Sequence, residues 1–425
     1  MSVVILGSGI AGISAGYHLK NAGENVVIFE KSNDWGGLCG NFTIDGFRFD
    51  KFVHFTFATD DYIKNLFEES SPTFAHPSVS SNYYKGYWLK HPAQNNLAPL
   101  PVEEKVQIIK GFINRRQKPF NELENYEDWL RVQYGDYFAE NFPFRYTQKY
   151  WGVEAKELET KWVGNRMYSP DLEEVLRGAF ETQDKTFYYT SHMKYPQKGG
   201  FRSILDKCRE GLNIRFNKEA THINAEDKIV TFSDGSQSTY ERLISTLPLP
   251  EIVKMLSNVP LEVKSAASEL MHTCGYMVSL GFKRTDVAKH LWFYIYDEDI
   301  LSSRVYSPSL KSPDNVPTGC SSMQAEIFFS NKSQIPDADV VLENTIEKLV
   351  KMGLFTENEI IVKDIRFEKY ANVIFDKNIY KNRKIVLDYL NAIGIESIGR
   401  FGKWEYQWTH QAFKDGMEVA KCISI

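Results

Sequence analysis

The chain offers no unbroken apolar run approaching the length of about 18 residues that a membrane-spanning helix needs. Its first residues, SVVILG, lack the basic flank of a secretion signal. Both absences point to a cytoplasmic protein with no membrane span. Cysteine is scarce: Cys39, Cys208, Cys274, Cys320 and Cys422 are odd in number, scattered and without metal-ligand spacing. That excludes a disulfide scaffold and a zinc site, and no other metal site is expected. A basic excess is missing too, since 50 Lys and Arg face 55 Asp and Glu for a formal charge of −5. Nucleic acid is therefore not the expected partner, although a local patch facing an anionic ligand is compatible with this balance. Neither an internal repeat nor a low-complexity tract is present. Apolar and aromatic residues are plentiful, at 43% and 14% of 425 residues. This is enough for a large core and for two or three domains.

The strongest local signal is at the beginning. SVVIL reads as a buried strand, GSGIAG places Gly7, Gly9 and Gly12 in G-x-G-x-x-G spacing, a helix follows to about Asn21, and NVVIFE is a second strand ending in Glu30. In such a βαβ unit Gly7 allows the tight turn and Gly9 lets backbone approach a pyrophosphate. Gly12 lets helix and strand pack closely, the helix N-terminus offers free N–H groups, and Glu30 accepts from ribose hydroxyls. A tight structural turn could use the same glycines, but the flanking strands and the terminal acid favour dinucleotide binding.

Paired Gly36 and Gly37 follow, then a strand, an Asp45-Gly46 turn and another strand leading into KFVHFTF. FAD proteins of the amine oxidase and glutathione reductase type carry a second glycine cluster at this place, so the resemblance favours FAD over NAD. Residues from about 212 to 249 read as strand, strand, turn, strand, with Asp234-Gly235 as a hairpin signal and LISTLP as a returning parallel strand. Residues from about 100 to 190 carry helical periodicity with acidic residues early in each segment. From about 262 to 390 mixed strands surround one amphipathic helix, DADVVLENTIEKLVKMG. The expected fold class is α/β: a discontinuous Rossmann-type FAD-binding domain (1–75, 191–260 and 391–425), a helical substrate-capping insertion (76–190) and a mixed β-sheet substrate domain (261–390).

Several separated motifs then add up. These are FDKFVHFTF around His54, HPAQNNL with Gln94, YWGV with Trp151, WVGNRMYSP with Arg166, YPQKGG, LWFYIYDEDILSSRVYSP with Tyr294 and Arg304, FEKYANVI with Tyr370, and GRFGKWEYQW with Arg400 and Tyr406. Over residues 2 to about 420 the chain resembles flavin-dependent UDP-galactopyranose mutases, more closely their eukaryotic-type branch, within the amine oxidase and protoporphyrinogen oxidase-like FAD superfamily. The resemblance implies that Arg166 and Arg304 grip a substrate diphosphate, with Tyr294, Tyr370 and Tyr406 adding hydroxyls and Gln94 and Trp151 completing the substrate set. The physical motive is charge: a diphosphate is costly to desolvate unless forked cations and hydroxyl donors meet it. Taken singly, each arginine reads equally as a surface charge and each tyrosine as core.

His54, among Phe52, Val53, Phe55 and Phe57, could be a satisfied core histidine; the resemblance places it at the flavin N5 and C4 edge. The family keeps small residues just before this histidine, where this chain has Phe52 and Val53. It keeps aromatics near the uracil where His91 and Ala93 stand here, so the base stays open among uridine, thymidine and guanosine diphosphates. Arg400 is implied beside the flavin, with a final helix from Thr409 directing its positive end at flavin N1. The implied reaction is an isomerisation with no net redox: N5 of reduced FAD attacks the anomeric carbon while His54, Arg166 and Arg304 serve the site, and NAD(P)H is the expected reductant. The alternative is an FAD-dependent oxidase or desaturase of the amine oxidase or protoporphyrinogen oxidase type, which needs the same cofactor domain but no dianion grip.

Overall fold

A computed structural model of the chain describes residues 2–115, 117–119, 122–164, 167–184 and 190–424. Five parallel strands form the first sheet, in the order Ile395–Ser397, Arg242–Ser245, Ser2–Leu6, Asn25–Phe29, Ile214–Arg215. After Ser2 its central strand is apolar, Val3 to Leu6, because both faces are covered. Val4 and Leu6 face one core with Trp404 and the helix Ile379–Ala392, while Val3 and Ile5 face another with the helices Ile10–Asn21 and Thr409–Ile423. Three widely separated stretches of chain thus meet in one sheet.

The second large sheet has seven strands, and its long strands His272–Phe282, Ser321–Ser330 and Ile360–Val373 lie antiparallel. The helix Ala338–Lys351 covers its core through Val341, Ile346 and Leu349. One expectation is corrected at this sheet. Residues 76–190 were expected to be helical, yet Ser81–Tyr84 and Tyr87–Lys90 are strands at the far end of the sheet, the first pairing with Trp292–Ile295 and the second with the first. Tyr84 and Leu89 turn inward into the aromatic core of the helical lobe, beside Tyr134, Phe138 and Phe142. That hairpin therefore joins lobe and sheet. The rest of the lobe is helical, through Val102–Ile113, Tyr126–Tyr134, Asp136–Asn141, Pro143–Trp151 and Leu172–Phe180.

A buried ion pair ties the hairpin of Asn41–Ile44 and Phe47–Asp50 to the short helix Pro308–Lys311. Lys311 and Asp50 are both about fully buried, with Nζ 2.6 Å from Oδ2. Tyr195 donates its hydroxyl to the same oxygen at 2.7 Å and the Phe201 N–H donates to Oδ1 at 3.0 Å, while the ammonium lies over the Tyr195 and Tyr306 rings. Each charge is costly alone and tolerable together. We predict that Lys311→Met destabilises the protein by about 3–5 kcal/mol, and that adding Asp50→Asn restores much of the loss. Denaturant unfolding of the four proteins checks this.

Candidate functional site

Two cavities meet at the heart of the molecule. The larger, of ≈ 780 Å³, runs along the C-terminal end of the parallel sheet past Gly7, Gly9, Glu30, Gly37 and Tyr370. The smaller, of ≈ 180 Å³, is walled by Tyr150, Trp292, Tyr294, Arg304, Phe328 and Tyr406. Leu38, His54, Arg400, Trp408 and Thr409 line both.

Two helices aim their N-termini at the larger cavity. Ile10–Asn21 starts at Gly9 with no side-chain cap and no acid in its first turn, which leaves its first N–H groups for a ligand. Thr409–Ile423 starts at the junction. The helices cross at backbone contact: a Cβ on Gly416 would stand 2.4 Å from the Ala11 carbonyl oxygen, and Ser14 Oγ donates to the Phe413 carbonyl at 2.6 Å.

The glycine cradle fits a dinucleotide. Gly7 has φ +98°, and a Cβ there would lie 2.2 Å from Thr246 Oγ1. Gly12 passes so close to the Gly7 carbonyl that a Cβ would lie 2.1 Å from its oxygen. Gly9 differs: its backbone is ordinary extended chain, φ −71° and ψ 179°, and a Cβ there would meet only Gly37 Cα at 3.9 Å. Among the described residues nothing crowds that position, so the space fits a ligand in the larger cavity. Glu30 accepts from Ser8 N–H and Oγ on one carboxylate oxygen and from Ser32 N–H and Oγ on the other, which fixes the carboxylate on the cavity wall.

At the junction the Arg400 guanidinium donates to the Gln407 carbonyl twice, at 3.1 and 2.6 Å, and to Asn372 Oδ1 at 3.2 Å. These partners are neutral, and among the described residues no carboxylate forms an ion pair with it. His54 stacks on Phe201 at 4.9 Å, and its Nδ1 lies 3.2 Å from the Phe52 carbonyl. A carbonyl only accepts, so the contact requires the proton on Nδ1 and leaves Nε2 an acceptor. Burial pushes the His54 pKa down to about 4, Asp50 opposes this, and Arg400 and Lys311 add to it. The ring is neutral at pH 7. Phe52 holds the left-handed conformation, φ +62°, a costly backbone for a bulky residue. Its N–H to Met277 Sδ at 3.1 Å and its ring on Phe328 hold it there.

In the small cavity Arg304 donates through Nε to Glu326 Oε2 at 2.6 Å. The other oxygen of that fully buried carboxylate accepts the Val53 N–H. Tyr150 and Tyr406 bring their hydroxyls within 3.5 Å of each other.

Of the expected site residues, Gly7, Gly9, Glu30, Gly37, His54 and Arg400 border the larger cavity, and His54, Arg400, Arg304, Tyr294 and Tyr406 border the smaller. Arg166 lies outside the described residues. Three others do not line the smaller cavity. Tyr370 borders the larger one, donating its hydroxyl to Glu251 and packing on His272. Trp151 is buried in the helical lobe against Tyr150 and Trp162. Gln94 donates to the Tyr168 carbonyl at 3.1 Å. Three residues before Gln94, His91 packs on Tyr294 at 5.0 Å and so backs the cavity wall. Tyr150 and Glu326 were missed; the signal for Glu326 was a lone acid inside the apolar run SMQAEIFF. Among the described residues no cluster of side chains could hold a metal, and no helix is long and apolar enough to cross a membrane.

Residues 10–354 match the family model of flavin containing amine oxidoreductases. The chain belongs to that family. The membership supports flavin (FAD) binding. The reduced form of UDP-galactopyranose mutase superposes with a TM-score of 0.93 over 99% of this chain and 95% of that one, at 24% identity. A putative protoporphyrinogen oxidase from Exiguobacterium sp. 255-15 gives a TM-score of 0.76 over 100% and 98% of the two chains, at 16% identity. Local sequence similarity lies with other proteins. The 4,4'-diapophytoene desaturase (4,4'-diaponeurosporene-forming) of Staphylococcus haemolyticus is 38% identical over 74 residues, 17% of this chain. The human all-trans-retinol 13,14-reductase is 27% identical over 119 residues, 28% of this chain. The chain spans 15% of the length of the first and 17% of the second.

The glycine geometry separates binding from folding. Gly9→Ala is expected to keep the unfolding temperature of the flavin-free protein and to lose most flavin. Gly12→Ala is expected to lose the fold itself, because its Cβ meets backbone. Thermal unfolding of apoprotein beside flavin content per chain distinguishes the two.

Proposed function

We propose that this flavoprotein interconverts the pyranose and furanose forms of a nucleoside diphosphate sugar with no net redox change. The observation that carries the reading is one guanidinium, Arg304, and three tyrosines, Tyr150, Tyr294 and Tyr406, on the wall of the cavity that opens onto His54 and Arg400. Reduced FAD, when bound, supplies an electron-rich nitrogen capable of nucleophilic attack on an anomeric carbon.

The chain's own residues do the remaining work. Arg304 binds the diphosphate, and Glu326 holds its guanidinium in one orientation while leaving part of it for phosphate oxygens. Tyrosine hydroxyls donate to the same oxygens, so the nucleoside diphosphate is retained after it departs from the sugar. Aromatic walls exclude water, which protects the opened sugar from hydrolysis. Neutral His54 orients the reacting edge without adding charge. The positive end of the helix Thr409–Ile423 favours the anionic reduced cofactor. Arg166 is proposed as the second diphosphate arginine, NAD(P)H as reductant, and the parallel sheet, helical lobe and seven-stranded sheet as cofactor, capping and substrate domains.

A second reading, an oxidase or desaturase acting on an apolar substrate, is favoured by the aromatic walls, by the offset of Arg304 by Glu326, and by the desaturase and reductase relatives. Incubating dithionite-reduced and oxidised protein with nucleoside diphosphate pyranoses and furanoses decides between them. Interconversion by the reduced protein alone is expected, with Arg304→Ala lowering kcat/KM by about 10- to 100-fold, the worth of a charge-assisted hydrogen bond. Bleaching of the oxidised flavin by a polyene or amine, with no interconversion, would overturn the mutase reading.

A further inference from the structure

The side chain of Gln407 carries a feature that the cofactor geometry has not used. Its Nε2 donates to two carboxylates, to Asp415 Oδ2 at 2.8 Å and to Glu405 Oε2 at 3.2 Å. Those acceptors fix the amide's orientation, since turning it over would set Oε1 against both anions. Asp415 is itself held by the Gly399 N–H at 3.0 Å and by Lys403 Nζ at 2.6 Å, so the arrangement is braced. Oε1 is left buried with no partner, on a residue that is 7% exposed and lines the larger cavity. The main-chain carbonyl of the same residue anchors Arg400 at the junction of the two cavities. A buried acceptor without a donor is a cost that a bound donor removes.

We propose that Gln407 Oε1 is the acceptor for the N3–H of the isoalloxazine, the one N–H donor that the oxidised ring carries. The assignment rests on flavin occupying the larger cavity and is independent of which substrate the smaller one takes. It makes Gln407 a cofactor-binding residue, with Asp415 and Glu405 as the groups that position it.

The test is a comparison of FAD with 3-methyl-FAD, whose N3 has no hydrogen, binding to flavin-stripped wild type and Gln407→Leu. Wild type is expected to prefer FAD by about tenfold or more, the value of one hydrogen bond to a buried acceptor. The variant is expected to lose that preference through weaker FAD binding, while its flavin-free unfolding temperature is not lowered. Gln407→Met serves if the leucine variant does not fold. Equal discrimination by wild type and variant, or none by wild type, would overturn the proposal. So would a lowered unfolding temperature with the FAD to 3-methyl-FAD ratio intact, because that outcome assigns Gln407 a purely structural role.

Discussion

The close crossing of the first and last long helices is the constraint from which the site follows. Ser14 and Gly416 let Ile10–Asn21 and Thr409–Ile423 approach until backbone touches backbone. Both N-termini then open on one cavity, although nearly the whole chain separates them. Two positive helix ends in one enclosed space suit a cofactor with a pyrophosphate at one end and a ring that gains negative charge at the other. The five-stranded sheet makes the arrangement possible, because its strands come from the same widely separated stretches.

Charge in the smaller cavity is arranged more sparingly. Arg304 is held by Glu326, and the same carboxylate accepts the amide of Val53 in the strained bend before His54. One buried acid thus fixes both the cation on the wall of the smaller cavity and the segment that carries the ring shared by the two cavities. Breaking such a shared partner costs more than either contact alone suggests. Phe52 keeps the left-handed backbone that a glycine would adopt freely, so this chain has a stiffer bend than small residues would provide.

Much of this was legible in the residues. The glycine spacing, the flanking strands and the terminal acid pointed to the strand–helix–strand unit that borders the larger cavity, because each has a steric or electrostatic reason to be there. The strands Ser81–Tyr84 and Tyr87–Lys90 were not legible, since four-residue strands leave little periodicity to read. Tyr370 was expected at the diphosphate and instead meets Glu251. The cause lies in the pairing of its strand: between the partners Glu368 with Gly275 and Asn372 with Thr273, three residues face one, so a bulge interrupts the alternation of faces. A bulge leaves no mark in a single sequence. The pairing of Arg304 with Glu326 depends on two antiparallel strands in register, Arg304 opposite Glu326, and likewise emerges only in three dimensions.

An anion-binding cavity beside the flavin ring makes the flavin spectrum sensitive to nucleoside diphosphates, which titration of the oxidised holoprotein by flavin difference spectroscopy reads. A saturable perturbation that Arg304→Ala weakens is the predicted result. A flavin spectrum indifferent to every nucleoside diphosphate would contradict an anion site there.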